Sequence, residues 1–237
     1  MSGLQKTLRD RHAEIVEACR QSIFDGLPSV PNGALLDCGC SDGELATRFA
    51  EHAGCTTVYG IEAMPKLAAE ARKRGIEIVG SDLNDPFGLP DESVDAATAN
   101  QVIEHLANTD QFVAELHRVL RPGGPLVIST NNLASWHNIF PLLVGAQPFA
   151  ADVSNDGSVG KLFHFYEDAS PDRHWSTWTH LRIYSHRALK EMLERHGFLV
   201  RTLVGIGYYP LWGRFARGMA SLDPRHTAYL TIACTKP

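Results

Sequence analysis

A seven-residue turn constrains this chain more than any other feature. Asp37-Cys38-Gly39-Cys40-Ser41-Asp42-Gly43 lies between an apolar run, Ala34-Leu35-Leu36, and a stretch over 43–53 whose Leu45 and Phe49 share one helical face. Strand, glycine-bearing turn and helix together form a general device for holding a nucleotide or nucleoside. Glycine lets the backbone come close, and the helix start offers N–H groups to an anion. The dinucleotide fingerprint would need glycines at 39, 41 and 44, whereas the chain has Ser41 and Glu44. A nicotinamide dinucleotide is therefore disfavoured.

The same alternation continues downstream. Thr56 to Ile61 make a second strand, and Pro65 to Arg74 a second helix with proline in its first turn. Ile76 to Val79 and Val94 to Ala99 make the third and fourth strands. A helix follows on Phe112, Leu116, Val119 and Leu120, stopped by Arg121-Pro122-Gly123-Gly124, and Leu126 to Ser129 make a fifth strand. Ser185 caps a helix that Gly197 ends. Phe198 to Val204 and Ala228 to Cys234 are the last strands, and the second of these suits antiparallel entry. Near the start, Leu4, Leu8, Ile15, Cys19 and Ile23 mark an amphipathic helix over 4–24. Strands alternating with helices at this spacing imply parallel βαβ units with right-handed crossovers.

The expected fold is α/β: a Rossmann-like, doubly wound, seven-stranded, mainly parallel sheet with an N-terminal helix and an inserted lid. One domain over 1–237 divides into an N-terminal helical cap (1–32), a cofactor-binding core (33–131), a lid or acceptor insertion (132–183) and a C-terminal helix with strands (184–237). A structureless loop as long as the insertion is improbable in a compact domain, so it should contain some helix. It holds Trp136, Trp175 and Trp178.

Composition narrows the partners. A net charge of -5 argues against nucleic acid, which usually demands a basic face. The most apolar stretch, Ile139 to Ala151, is broken by Pro141, Gly145 and Pro148, so no membrane span is expected. Lys6, Arg9, Asp10 and Arg11 have no apolar core behind them, unlike a secretory signal. Five cysteines without regular spacing suggest reduced thiols and a cytoplasmic setting. Cys38 and Cys40 lack a second pair at zinc-site spacing, and no metal is expected.

Acids close three successive strands: Asp37, then Glu62 in Val58-Tyr59-Gly60-Ile61-Glu62, then Asp82 in Gly80-Ser81-Asp82-Leu83. One such acid is as readily a solvated loop carboxylate. Three at successive strand ends, where open α/β sheets bind ligands, point to a site. The turn resembles motif I of the class I S-adenosylmethionine-dependent methyltransferases, an acid followed by G-x-G-x-G, with Ser41 in place of the middle glycine. Val94-Asp95-Ala96-Ala97-Thr98-Ala99-Asn100 and Arg118-Val119-Leu120-Arg121-Pro122-Gly123-Gly124 continue the resemblance in register from about residue 33 to 131. A weaker tail runs from 179 to 198, and ubiquinone-pathway O-methyltransferases are among the similar proteins. The resemblance implies S-adenosyl-L-methionine as cofactor. Gly39 and Gly43 would admit its methionine portion, Asp37 would favour its positive groups, and Glu62 would accept the ribose hydroxyls. Asp82 and Leu83 would meet the adenine, while Cys40, Asn100 and Gln101 complete the expected contacts.

Methyl transfer is an in-line displacement, so the protein aligns the acceptor, excludes water and, for a hydroxyl, removes a proton. Base candidates lie in Asn100-Gln101-Val102-Ile103-Glu104-His105-Leu106. His105 has a suitable pKa class; its competing reading is a histidine bonded to a loop carbonyl. Glu104, His105 and the later His180, after Thr179, match segments that bind a divalent metal in ubiquinone-pathway catechol O-methyltransferases and plant-type small-RNA 2′-O-methyltransferases. Gln101 stands where those relatives often carry glutamate, which weakens a hard-cation site. A His105/His180 pair facing the acceptor is the preferred version. Phe163, Phe165, Tyr166, Trp175 and Trp178 either wall an acceptor pocket or form a satellite core, and Tyr208, Tyr209 and Trp212 are a second possible wall. His12, His137, His164 and His174 receive no role. The expected activity is methylation of a small-molecule or glycan hydroxyl. The alternatives are N-methylation, a cofactor-binding protein with a decayed acceptor site, and a nicotinamide oxidoreductase. Acceptor identity and oligomeric state are not legible.

Overall fold

The computed structural model describes residues 3–154, 159–162, 179–211 and 213–237, with side chains from residue 11 onward. The expectations for Phe163, His164, Phe165, Tyr166, His174, Trp175, Trp178 and Trp212, and for the side chains of Leu4 and Leu8, lie outside the described residues.

The chain opens with α1 (Gly3–Gly26), followed by β1 (Ala34–Cys38), α2 (Glu44–Ala53), β2 (Thr57–Ile61), α3 (Pro65–Lys73) and β3 (Glu77–Gly80). Then come β4 (Ala96–Asn100), a short 3-10 turn (Ile103–His105), α4 (Thr109–Val119), β5 (Pro125–Asn131) and α5 (Trp136–Leu143). The chain closes with α6 (His186–Arg195), β6 (Leu199–Ile206), α7 (Gly213–Leu222) and β7 (Tyr229–Thr235). One seven-stranded sheet has the order β3-β2-β1-β4-β5-β7-β6. The first five strands run parallel, and β7 lies antiparallel to both β5 and β6. The mainly parallel, doubly wound sheet with a reversed last strand is the architecture expected from sequence.

Alternation along buried strands sends neighbouring side chains to opposite faces. Leu36 and Ile128 join Phe112, Leu116, Leu189 and Phe198 of α4, α6 and the start of β6 on one face. Leu35 and Val127 join Ile23 and Leu27 of α1 and Phe49 of α2 on the other. The N-terminal helix is thus part of the core. Asn108 accepts the Gln111 N–H at the start of α4, Ser185 accepts the Ala188 N–H at the start of α6, and Gly197 (φ 89°) lets the chain turn out of α6.

Two elements differ from expectation. Regular pairing in β4 begins at Ala96, and Val94 makes only an isolated bridge to Leu120. Helix α7 carries no sequence signal because its apolar pattern is inverted: Ala216 and Ala220 face inward while Phe215 is 81% and Leu222 80% exposed. All five cysteines are free thiols. Among the described residues, no helix is long and apolar enough to cross a membrane.

Because β6 and β5 both oppose β7, their ends coincide, with Asn131 and Ile206 each paired to Tyr229. The carboxyl ends of β1 to β6 therefore share one edge of the sheet. Asp37, Glu62, Asp82 and Asn100 lie at or just beyond the ends of β1, β2, β3 and β4 on that edge.

Candidate active site at the carboxyl edge of the sheet

The turn after β1 needs left-handed backbone at three alternate positions: Gly39 (φ 73°), Ser41 (φ 52°) and Gly43 (φ 84°). Ser41 thus adopts the conformation that a glycine would have taken there. The space saved at the flanking glycines is filled by protein. A Cβ on Gly39 would stand 2.5 Å from Val102 Cγ2, and one on Gly43 2.4 Å from Ile76 Cδ1. These glycines therefore act through backbone conformation and close packing of the turn, rather than by leaving open space.

Five N–H donors of the turn and the start of α2 are used internally. Gly39 and Cys40 N–H donate to the Ile61 carbonyl, Gly43 N–H to Cys40 O, Ser41 N–H to Glu62 Oε2 (2.9 Å) and Glu44 N–H to Asp42 Oδ1. A phosphate would have to break these bonds. The acids stand one strand apart. Asp37 is buried and accepts the Thr98 hydroxyl at 2.7 Å, and burial, with Glu62's charge adding, pushes its carboxyl up to about 7. Glu62, half-buried, also accepts the Met64 N–H through Oε1 (2.8 Å). Asp82 is exposed above buried Leu83 and holds Asn84, whose own Oδ1 accepts the N–H groups of Ala107 and Asn108. That chain of bonds ties the β3 loop to the segment beyond β4.

At the end of β4, Asn100 Oδ1 accepts the Ser129 hydroxyl, and the next residue, Gln101 (φ 56°), donates its N–H to Ser129 O. Turned over about its amide axis, the Gln101 carboxamide donates to Glu104 Oε1 (3.1 Å) and accepts the Thr130 N–H, satisfying both of its ends. Glu104 is fully buried; Thr130 Oγ1 donates to Oε2 at 2.9 Å and Asn131 Nδ2 to Oε1 at 3.2 Å. Its backbone carbonyl accepts the N–H groups of Leu181 and Arg182, which fastens the 179–182 segment to the 3-10 turn. His105 and His180 consequently meet, with ring centroids 4.9 Å apart.

Each ring is tethered through Nδ1, His105 to Thr179 O (3.1 Å) and His180 to Ala150 O (2.7 Å). A carbonyl only accepts, so each Nδ1 carries the proton and each Nε2 keeps its lone pair. Burial pushes both imidazoles below their ordinary value, which favours the neutral form. The carbonyl bond expected of a structural histidine is present at His105, and it leaves the other nitrogen available for chemistry. One ligand atom from each of Glu104, His105 and His180 lies within 4.8 Å of the others.

Residues 36–128 match the family described as a methyltransferase domain. A probable S-adenosylmethionine-dependent methyltransferase of Mycolicibacterium smegmatis is 30% identical over 194 residues, covering 81% of this chain and 59% of that protein. The chain belongs to the class I S-adenosylmethionine-dependent methyltransferase superfamily. The mitochondrial ubiquinone biosynthesis O-methyltransferase of Rattus norvegicus is 27% identical over 76% of this chain and 48% of its own length. The chain spans about half the length of the curated relatives it matches. Among solved structures, an S-adenosylmethionine-dependent methyltransferase from Mesorhizobium loti shares the fold at a TM-score of 0.59, with 20% identity over 91% of this chain and 96% of that one. A putative methyltransferase in complex with the Haloferax volcanii Trm112 activator shares it at 0.63, with 16% identity over 100% and 95%.

S-adenosylmethionine, the cofactor of this superfamily, suits the donor set. Its cationic centres and ribose hydroxyls call for carboxylates, and the edge offers Asp37, Glu62 and Asp82, while the N–H groups of Gly39, Cys40, Ser41 and Gly43 are already bonded. Sequence reasoning missed the groups that hold these acids: Thr98 on Asp37, Thr130 and Asn131 on Glu104, and the Ala150 carbonyl on His180. Polar residues near strand ends are the available signal, but only strand order says which acid each one meets.

Proposed function

We propose that this methyltransferase transfers the methyl group of S-adenosylmethionine to a hydroxyl of a small molecule or glycan. The reading rests chiefly on one observation: two imidazoles, each tethered through Nδ1 to a backbone carbonyl and meeting beside Glu104, stand beyond the end of β4, next to the strand ends that carry the carboxylates. In this reading Glu62 accepts the ribose hydroxyls, and Asp82 and Leu83 meet the adenine. Asp37, Gly39, Cys40 and Gly43 border the methionine portion, with Asn100 and Gln101 beneath the reactive end. The cofactor supplies a methyl carbon already activated by its sulfonium. His105, oriented by Thr179 and supported by His180, takes the acceptor's proton as the hydroxyl oxygen attacks. The chemistry needs neither nucleic acid nor membrane, and a cytoplasmic setting suits the unpaired thiols.

S-adenosylhomocysteine at about a hundred times its Kd should stabilise the fold by ~2.7 kcal/mol and raise Tm, while NAD should not. The reverse outcome contradicts the methyltransferase reading. Stabilisation without turnover on hydroxyl or amine acceptors would identify a binding protein instead. His105→Ala should lower kcat by about a hundredfold or more and leave S-adenosylhomocysteine affinity nearly unchanged. Unaltered turnover would remove His105 from the mechanism.

A second reading is favoured by the convergence of Glu104, His105 and His180. Two imidazoles and one carboxylate, each held by a further hydrogen bond, would suit a divalent cation that polarises the acceptor oxygen. Loss of activity in a chelator, restored by added divalent metal, would select this reading. Activity indifferent to the chelator would leave the histidine pair to act alone.

A further inference from the structure

Asp82 is exposed, yet one of its carboxylate oxygens is already engaged. Oδ1 accepts both the backbone N–H and the Nδ2 of Asn84, each at 2.8 Å. The backbone bond alone closes a turn, as an aspartate commonly does with the residue two places on. The side-chain bond to the same oxygen is additional. Asn84 is half-buried and uses its other end across the loop, where Oδ1 accepts the N–H groups of Ala107 and Asn108, each at 2.9 Å. Asn108 in turn caps α4.

The receiving segment is itself held. Arg182 donates from Nε (3.0 Å) and Nη2 (2.8 Å) to the Ala107 carbonyl, so the Ala107–Asn108 junction is pinned by Asn84 and by Arg182. It opens a helix whose Phe112 and Leu116 belong to the core. The same bonds fix which way round the Asn84 amide sits. Exchanging its ends would set Nδ2 against two N–H donors and Oδ1 against a carboxylate. Asn84 therefore registers the Asp82 carboxylate to α4 and leaves Oδ2 as the oxygen that these bonds do not use.

We infer that Asn84 is a positioning residue for the cofactor's base: by engaging Oδ1 it aims Asp82 Oδ2 at the exocyclic amino group of adenine, and so makes the site select a 6-aminopurine over a 6-oxopurine. The inference rests on the proposed placement of the adenine at Asp82 and deepens it. A carboxylate oxygen only accepts, so the amino group gains a charge-assisted bond, whereas a 6-oxo group sets oxygen against oxygen. A site built to bond a donor rejects an analogue lacking it more strongly than pocket shape can. The terminal torsion of an aspartate is broad. Without its second bond, an exposed Asp82 would spread Oδ2 over many directions and lose part of that selectivity.

Calorimetric titration of the full chain with S-adenosylhomocysteine and with S-inosylhomocysteine, its 6-oxopurine analogue, reads the selectivity as a ratio of Kd values. The wild type should prefer the adenosyl ligand by at least about tenfold, the worth of one hydrogen bond to a charged group. Asn84→Ala should weaken the adenosyl ligand by about fivefold or more, while the inosyl ligand weakens by less than about twofold, so the ratio falls. A purely structural role would weaken both ligands alike and keep the ratio. Asn84→Asp separates the two ends of the side chain. It still accepts from Ala107 and Asn108, which keeps the loop anchored, but it sets an acceptor against Asp82 in place of a donor. The ratio should fall here too, and this variant decides if Asn84→Ala does not fold. An unchanged ratio in either folded variant, or a wild type indifferent to the base, would overturn the inference while leaving the methyltransferase reading in place. A wild type that binds no S-adenosylhomocysteine would strike that reading, and the inference with it.

Discussion

Asp37 changes its proton affinity more on folding than an acid at a strand end ordinarily does. Its carboxyl moves from 3.8 to about 7, chiefly because burial penalises the charge. Between those values the folded chain holds a proton that the unfolded chain releases. Its contribution to stability is therefore full below pH 3.8 and lost as pH rises through about 7. Asp37→Asn should raise the Tm of the ligand-free protein at pH 8 and flatten this part of the pH profile. In the wild type, S-adenosylhomocysteine should bind more tightly as pH rises through about 7, because only ionised Asp37 attracts the ammonium group. Calorimetry in buffers of different ionisation enthalpy reads the released proton directly, and an affinity flat across pH 6 to 8 would separate Asp37 from the ligand. The acid itself was legible in the sequence, since it ends an apolar run before a glycine. Thr98, which holds it, was not. It lies 61 residues away and becomes a neighbour only because β1 pairs with β4.

At the scale of elements, the β1–turn–α2 unit is held by close packing as much as by backbone freedom. Gly43 combines φ 84° with a Cβ position 2.4 Å from Ile76 Cδ1 and 3.1 Å from the Ala71 backbone. Gly75 is equally left-handed (φ 87°), but a Cβ there would meet nothing within 4 Å. Gly75→Ala should cost about 1–2 kcal/mol, the left-handed penalty alone. Gly43→Ala should cost ~2–4 kcal/mol, because overpacking against α3 and β3 adds to it. Urea denaturation measures both, and equal costs would show that the packing at Gly43 is loose. Spacing made this unit legible because strand, turn and helix are contiguous. Helix α7 escaped for the opposite reason, since its buried residues are alanines while Phe215 and Leu222 are exposed.

Across the whole molecule, legibility follows distance along the chain. The core over 33–131 is built from neighbouring βα units, so periodicity and turn chemistry reveal it. The histidines and aromatic rings near the end of the sheet come from α1, α5, the 179–182 segment and the loop after β6. These meet only because β7 inserts antiparallel and brings the end of β6 level with β5. No local pattern could join His12 to Tyr209 or His137 to Phe149. In the proposed function, one edge of one sheet holds both the methyl donor and its acceptor. The direct measurement is a crystal structure of the chain grown with S-adenosylhomocysteine. The expected result has the ribose hydroxyls on Glu62, the adenine amino group at Asp82, and the sulfur directed toward the His105 and His180 rings. Ordered ligand anywhere else, with Gly39, Glu62 and Asp82 untouched, would contradict the account.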